Sequence, residues 1–160
     1  LDLPGTTVIV GDGPQREELA EKYPNVVFTG AKFGAELARY FACADVFCFP
    51  SLTDTFGLVI LEAMAAGVPV AAFSAPGPID IIPGSGAGVL APGQTDGLRE
   101  ACLACLDINH VAVRKFAEGF SWRACAEEFY KNLQPYPEPE KTRFWRRLRR
   151  LARLRRKPAA

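Results

Sequence analysis

The 160-residue sequence is 49% hydrophobic and 23% charged, which suits a globular chain with one domain and a sizeable core. Its formal net charge of +1 hides a division: residues 1–140 hold all eighteen Asp/Glu and nine of the nineteen Lys/Arg, while residues 141–160 hold the other ten bases and no acid. An acidic body argues against nucleic acid as a partner, and no apolar run reaches the roughly 18–20 residues of a spanning helix.

In chain order, "TTVIVGDG" predicts a buried strand closed by a glycine turn, and "PQREELAEKY" a helix with Pro14 near its first turn. "NVVFTG" is a second strand, "AELARYFACA" a helix, and "DVFCFPS" a third strand ended by Pro50. A helix carrying Glu62 then runs to a glycine stop at Gly67. "VPVAAF" follows as a strand, "PGPIDII" as a turn with a short helix, and "GAGVLAP" as a last strand. From about Thr95 to Leu133 the chain reads as helical, with breaks near Asn109 and Gly119.

Strands alternating with helices of about ten residues imply right-handed crossovers and a mostly parallel, Rossmann-like α/β sheet. The apolar strand runs predict helices on both faces. Ligands on such sheets bind beyond the carboxyl ends of the strands. Residues 1–134 form this domain, 135–140 ("PYPEPE" within "QPYPEPEK") a Pro-rich linker, and 141–160 a basic tail. The sequence opens at Leu1 in what reads as mid-domain, so an N-terminal part is expected to precede it.

Five cysteines, an odd number, and no secretory signal predict reduced thiols in a cytoplasmic protein. Cys102 and Cys105 form a C-x-x-C with no second pair; small buried helix residues are favoured over a metal or redox role.

Glu62 poses the main question, because an Asp or Glu among apolar neighbours must reach either solvent or a partner. No Lys, Arg or His lies between Arg39 and Arg99 to pair with it locally. The loop "PSLTDT" places Asp54 to Gly57 where a strand end meets a helix N-terminus, whose free amides attract phosphate. Gly57 permits close approach of a ligand. Glu62 lies about five residues in, and its side chain leans back toward that end, where a nucleotide's sugar hydroxyl would satisfy it. Asp54 serves equally well as a helix N-cap, and Glu62 as a surface residue; local sequence leaves both alternatives open. Asp80 reads as a turn or cap residue, His110 as the start of a surface helix, and Trp122 as a packing anchor.

Taken in order, "GDGP", "VVFTG", "YFACADVFCFPSLTDTFGLVILEAMAAGVPVAA" and "PGPIDII" resemble the C-terminal domain of family 4 retaining glycosyltransferases, over about residues 4–133. That resemblance implies the second half of a two-domain GT-B architecture. It implies that Glu62 binds the ribose hydroxyls of a nucleotide-sugar and that Asp54 sits beside the transferred sugar. Asp54 and Glu62 would thus be the catalytic carboxylates. Thr55, Phe56, Gly57, Leu58 and Val59 would cradle donor hydroxyls and phosphates, with Gly11, Thr29, Gly30, Ala31 and Lys32 near the nucleobase and its turn. The family works without a bound metal, so no cofactor is expected. The Arg and Lys that grip the diphosphate, and the acceptor domain, fall upstream of Leu1. Residues 1–160 alone are therefore expected to bind donor with little transfer. The enzyme reading is a hexosyl transfer to a lipid or polysaccharide acceptor; the alternative is a nucleotide-sugar-binding module without transfer activity.

In "KTRFWRRLRRLARLRRKP" a helical period gathers Phe144, Trp145, Leu148, Leu151, Ala152 and Leu154 on one face and most arginines on the other. Such a helix, over 141–157, suits an anionic membrane surface and predicts peripheral docking on the inner face.

Overall fold

A computed structural model describes residues 3–92, 97–134, 142 and 144–149. Two units divide the chain, residues 1–122 and 123–160.

In the first unit the elements alternate as expected. They are β1 (Val8–Val10), α1 (Arg16–Lys22), β2 (Val27–Gly30), α2 (Gly34–Ala42), β3 (Phe47–Phe49) and α3 (Leu58–Ala65). Then come β4 (Val70–Phe73), α4 (Pro78–Ile81), β5 (Gly88–Ala91), α5 (Leu98–Cys105) and α6 (His110–Ala117), before α7 (Trp122–Asn132). Every ladder is parallel: β1 pairs β2 with Val8 opposite Val27, while β3, β4 and β5 pair in that order with Phe47 opposite Val70 and Val70 opposite Gly88. Among the described residues no ladder joins the two-stranded to the three-stranded sheet.

Strand β4 shows why its sequence is continuously apolar. Val70 and Ala72 point into a core with Ile60, Met64, Val68 and Val113, where α3 and α6 pack. Ala71 and Phe73 point the other way, onto Leu98, Ala101, Cys102 and Cys105 of α5. All four β4 residues are buried, so helices on both faces are the case here. For β1 that expectation fails: Val8 and Ile9 are each 43% exposed. Its apolar run marks a strand, but among the described residues both side chains are left half open.

Helix α6 is capped by Asn109, whose Oδ1 accepts the amides of Val111 and Ala112 at 2.9 and 3.2 Å. His110 begins that helix at the surface, as expected. The C-x-x-C of α5 is buried, also as expected. Burial pushes the Cys105 thiol up to about 12, and the half-buried Cys48 thiol, hydrogen-bonded to Cys102, is pushed well above its ordinary range.

In the second unit, every described residue of 123–134 is exposed. Trp122, at the start of α7, is 84% exposed, so its expected role as a packing anchor is not met. α7 buries none of its residues, and nothing among the described residues receives the indole. The Pro-rich linker 135–140 lies outside the described residues, as do Leu151, Ala152 and Leu154. Residues 144–149 are helical and exposed, with the rings of Phe144 and Trp145 meeting edge to face at 5.6 Å. No helix among the described residues is long and apolar enough to cross a membrane.

Candidate functional site

At the carboxyl end of β3 the chain turns through Ser51–Phe56 into α3. Asp54 controls this turn. Its Oδ1 accepts the amides of Phe56 at 2.9 Å and Gly57 at 2.6 Å. These short bonds to an ionised acceptor belong to the stronger class of hydrogen bond. The N-cap alternative for Asp54 therefore holds in substance, although the residue at the helix boundary is Gly57, in the left-handed region at φ +80° and ψ +50°. Two amides expected to meet a donor are instead occupied by Asp54.

Two others are open. The amide of Ile60 reaches the Gly57 carbonyl at 2.9 Å, whereas the amides of Leu58 and Val59 meet no acceptor among the described residues. Unpaired N–H groups at the positive end of a helix form a natural anion site. Gly57 is buried while Thr55, Phe56 and Leu58 are exposed and Val59 half-buried, so the turn offers its surface to solvent on one side. From the other side Gly77 presses on it: a Cβ there would stand 3.0 Å from the carbonyl carbon and oxygen of Phe56. Sequence reading gave Gly77 no such part; the "PGP" spelling was its sole signal. Asp80 lies exposed in the first turn of α4, in keeping with a turn residue.

Helical geometry answers the question Glu62 raised. Ile60, Ala63 and Met64 are buried, while Leu58, Glu62 and Ala65 are exposed. Spaced three and four apart, these three form a solvent stripe on α3. Glu62 thus reaches water without a partner among the described residues, one helical turn beyond Leu58, and leans toward the open amides. Its apolar neighbours in sequence are not its neighbours in space.

A second group lies at the ends of β1 and β2. The Gly11 amide donates to the Gly30 carbonyl at 3.0 Å, and Thr29 Oγ1 donates to the same oxygen at 3.1 Å. Gly11, Thr29 and Gly30 are thus brought together where β1 and β2 end. The Lys32 Nζ donates to Glu36 at 2.7 Å and stands 5.7 Å from the centre of the Tyr40 ring. The Glu36 hydrogen bond raises its pKa. Ala31 is exposed beside it. Among the described residues no three His, Cys, Asp or Glu side chains gather closely enough to hold a metal ion.

Residues 4–107 match the family model described as glycosyl transferases group 1. The chain belongs to that family. It is similar to a GDP-mannose-dependent alpha-mannosyltransferase of Mycobacterium tuberculosis, 39% identical over 126 residues, or 76% of this chain and 33% of the relative. It is also similar to alpha-monoglucosyldiacylglycerol synthase of Streptococcus pneumoniae, 36% identical over 137 residues, or 77% of this chain and 31% of the relative. Among solved structures, sucrose-phosphate synthase from Thermosynechococcus elongatus superposes with a TM-score of 0.63 at 30% identity, over 78% of this chain and 36% of that one. The chain spans about a third of the length of the relatives it matches. The fold is α/β and Rossmann-like, as the strand and helix alternation predicted.

Proposed function

We propose that this chain is the donor-binding half of a retaining glycosyltransferase that moves a hexosyl group from a nucleotide-sugar to a lipid or polysaccharide acceptor. One observation carries the reading: the open amides of Leu58 and Val59 share the start of α3 with the exposed Glu62 stripe and the Asp54-clamped turn.

Each group suits one part of the donor. An ionised carboxylate only accepts hydrogen bonds, so Glu62 matches the two hydroxyl donors of a ribose. The Leu58 and Val59 amides only donate, so they match phosphate oxygens. As the sugar leaves, negative charge grows on the diphosphate, and fixed donors at a helix N-terminus stabilise it more than they stabilise the intact donor. Asp54 spends Oδ1 on the turn. Its Oδ2 has no partner among the described residues and faces no competing bond, which suits a sugar hydroxyl or the positive charge of an oxocarbenium-like transition state. No metal is needed for these contacts.

The acceptor side belongs to an N-terminal domain in this reading. A relative named as a GDP-mannose-dependent enzyme supports a nucleotide-sugar donor, and one named for a glucosyldiacylglycerol supports a lipid acceptor. The basic stretch 141–157 would hold the enzyme peripherally on the cytoplasmic face of an anionic membrane.

The test uses the full-length natural polypeptide, incubated with UDP-, GDP- and ADP-sugars and diacylglycerol or glycolipid acceptors, with and without EDTA. One donor should give a glycoside of unchanged anomeric configuration, in equal yield with the chelator. Release of free sugar alone, or an inverted product, would contradict the reading.

A further inference from the structure

Arg16, the first residue of α1, holds its guanidinium against the end of β2. A Cβ placed on Gly30 would stand 3.8 Å from Arg16 Cζ, 3.8 Å from Nη2 and 4.0 Å from Nη1. Near-equal distances to the central carbon and both nitrogens mean that the group lies face-on. An edge-on approach would bring the nitrogens markedly closer than the carbon. Arg16 is exposed, and no hydrogen bond or ion pair of its guanidinium occurs among the described residues. Its backbone amide is already taken by the Gly13 carbonyl at 3.1 Å. A flat cation therefore packs one face on a buried glycine and shows the other to solvent.

The underlying backbone is firm, since the Gly30 carbonyl is held by both the Gly11 amide and Thr29 Oγ1. The position lies at the carboxyl end of the β1–β2 pair, where ligands of such sheets bind. Charge tells what the open face accepts. Asp12, Glu17 and Glu18 surround Arg16 in sequence and are exposed. Their charges disfavour a second phosphate group there and leave a neutral aromatic plane as the better match. Guanidinium planes stack well on aromatic faces, and an ammonium offers no such plane.

We propose that the open face of the Arg16 guanidinium, backed by Gly30, is the platform on which the donor's nucleobase stacks. The inference rests on the nucleotide-sugar reading above and adds a specific residue to it.

The experiment titrates UDP, GDP, ADP and inorganic pyrophosphate into the full-length polypeptide and its Arg16→Ala and Arg16→Lys variants, with an unfolding curve for each. The preferred nucleoside diphosphate should bind about tenfold more weakly to Arg16→Ala, with Lys restoring little of the loss. Pyrophosphate should bind all three proteins alike. Unchanged nucleotide affinity, full recovery by Lys, or a parallel loss for pyrophosphate would each overturn the stacking role. Should the Ala variant unfold, Arg16→Lys decides by itself. If the unaltered protein binds none of the three nucleotides, the donor-binding reading fails with it; if it binds one and Arg16→Ala binds it equally, only the role of Arg16 fails.

Discussion

The Asp54 carboxylate receives the Gly57 amide at 2.6 Å, so the acid expected beside the transferred sugar also ties the turn that starts α3. The two duties separate by substitution. Asp54→Ala removes the clamp and should cost about 1 kcal/mol, read as a fall in Tm of about 2–4 °C. Asp54→Asn keeps an acceptor oxygen and should stay near the parent Tm. Both should lose most transfer activity, because neither retains the charge. An Asn variant of full activity would reduce Asp54 to a structural residue.

Gly57 adopts φ +80°, and a Cβ there would stand 2.8 Å from Ile60 Cδ1. Gly57→Ala therefore combines a left-handed backbone with a clash against a fully buried side chain. A loss of about 1–3 kcal/mol follows, measurable by urea unfolding. The same change should weaken donor binding, since it moves the amides of Leu58 and Val59. A variant as stable as the parent would show that the turn relaxes freely.

The thiols carry a pH prediction. Cys105 is raised from an ordinary 9.0 to about 12 by burial. The folded state then keeps its proton where the unfolded chain has lost it. Stability from this group is complete below pH 9 and falls steadily as pH rises from 9 toward 12. Urea midpoints measured across that window should decline, and less so in Cys105→Ala after allowing for its lower baseline. At neutral pH a thiol reagent should label exposed Cys43 and Cys125 rapidly and the buried Cys102 and Cys105 only on unfolding. Rapid labelling of all five would contradict the packing of α5.

What the sequence disclosed, and what it withheld, follows from how far each signal reaches. Continuous apolarity in "VPVAAF" foretold a strand covered on both faces, and Val70 to Phe73 are buried. "TVIV" has the same spelling, yet Val8 and Ile9 stand half open; a run of apolar residues marks a strand without saying what covers it. Glu62 looked stranded because chain neighbours were counted, whereas the helical period places Ile60, Ala63 and Met64 on the opposite face. The capping alternative for Asp54 was legible, and its carboxylate clamps the amides of Phe56 and Gly57. Lys32 could not be read in advance, since its engagement with Glu36 and Tyr40 is a matter of side-chain direction. Trp122 was misjudged because a large aromatic in a helix spells burial only when another element receives it.

The basic tail yields a separate expectation. Phe144, Trp145 and Leu148 are exposed on a helical segment shared with Arg146, Arg147 and Arg149. Vesicles containing anionic lipid should sediment the full-length protein, and removal of residues 141–160 should abolish most of that binding. High salt should weaken it. Equal sedimentation with and without the tail would assign anchoring to another part of the molecule.

The decisive measurement concerns Glu62 and the pentose. Dissociation constants for the preferred nucleoside diphosphate and its 2′,3′-dideoxy analogue should be taken for the full-length protein and for Glu62→Ala. Removing the carboxylate should weaken the natural nucleotide by about 10- to 100-fold, the scale of hydrogen bonds to a charged group, and leave the dideoxy form unchanged. Equal losses for both ligands, or no loss for either, would contradict the assignment of Glu62 to the ribose hydroxyls.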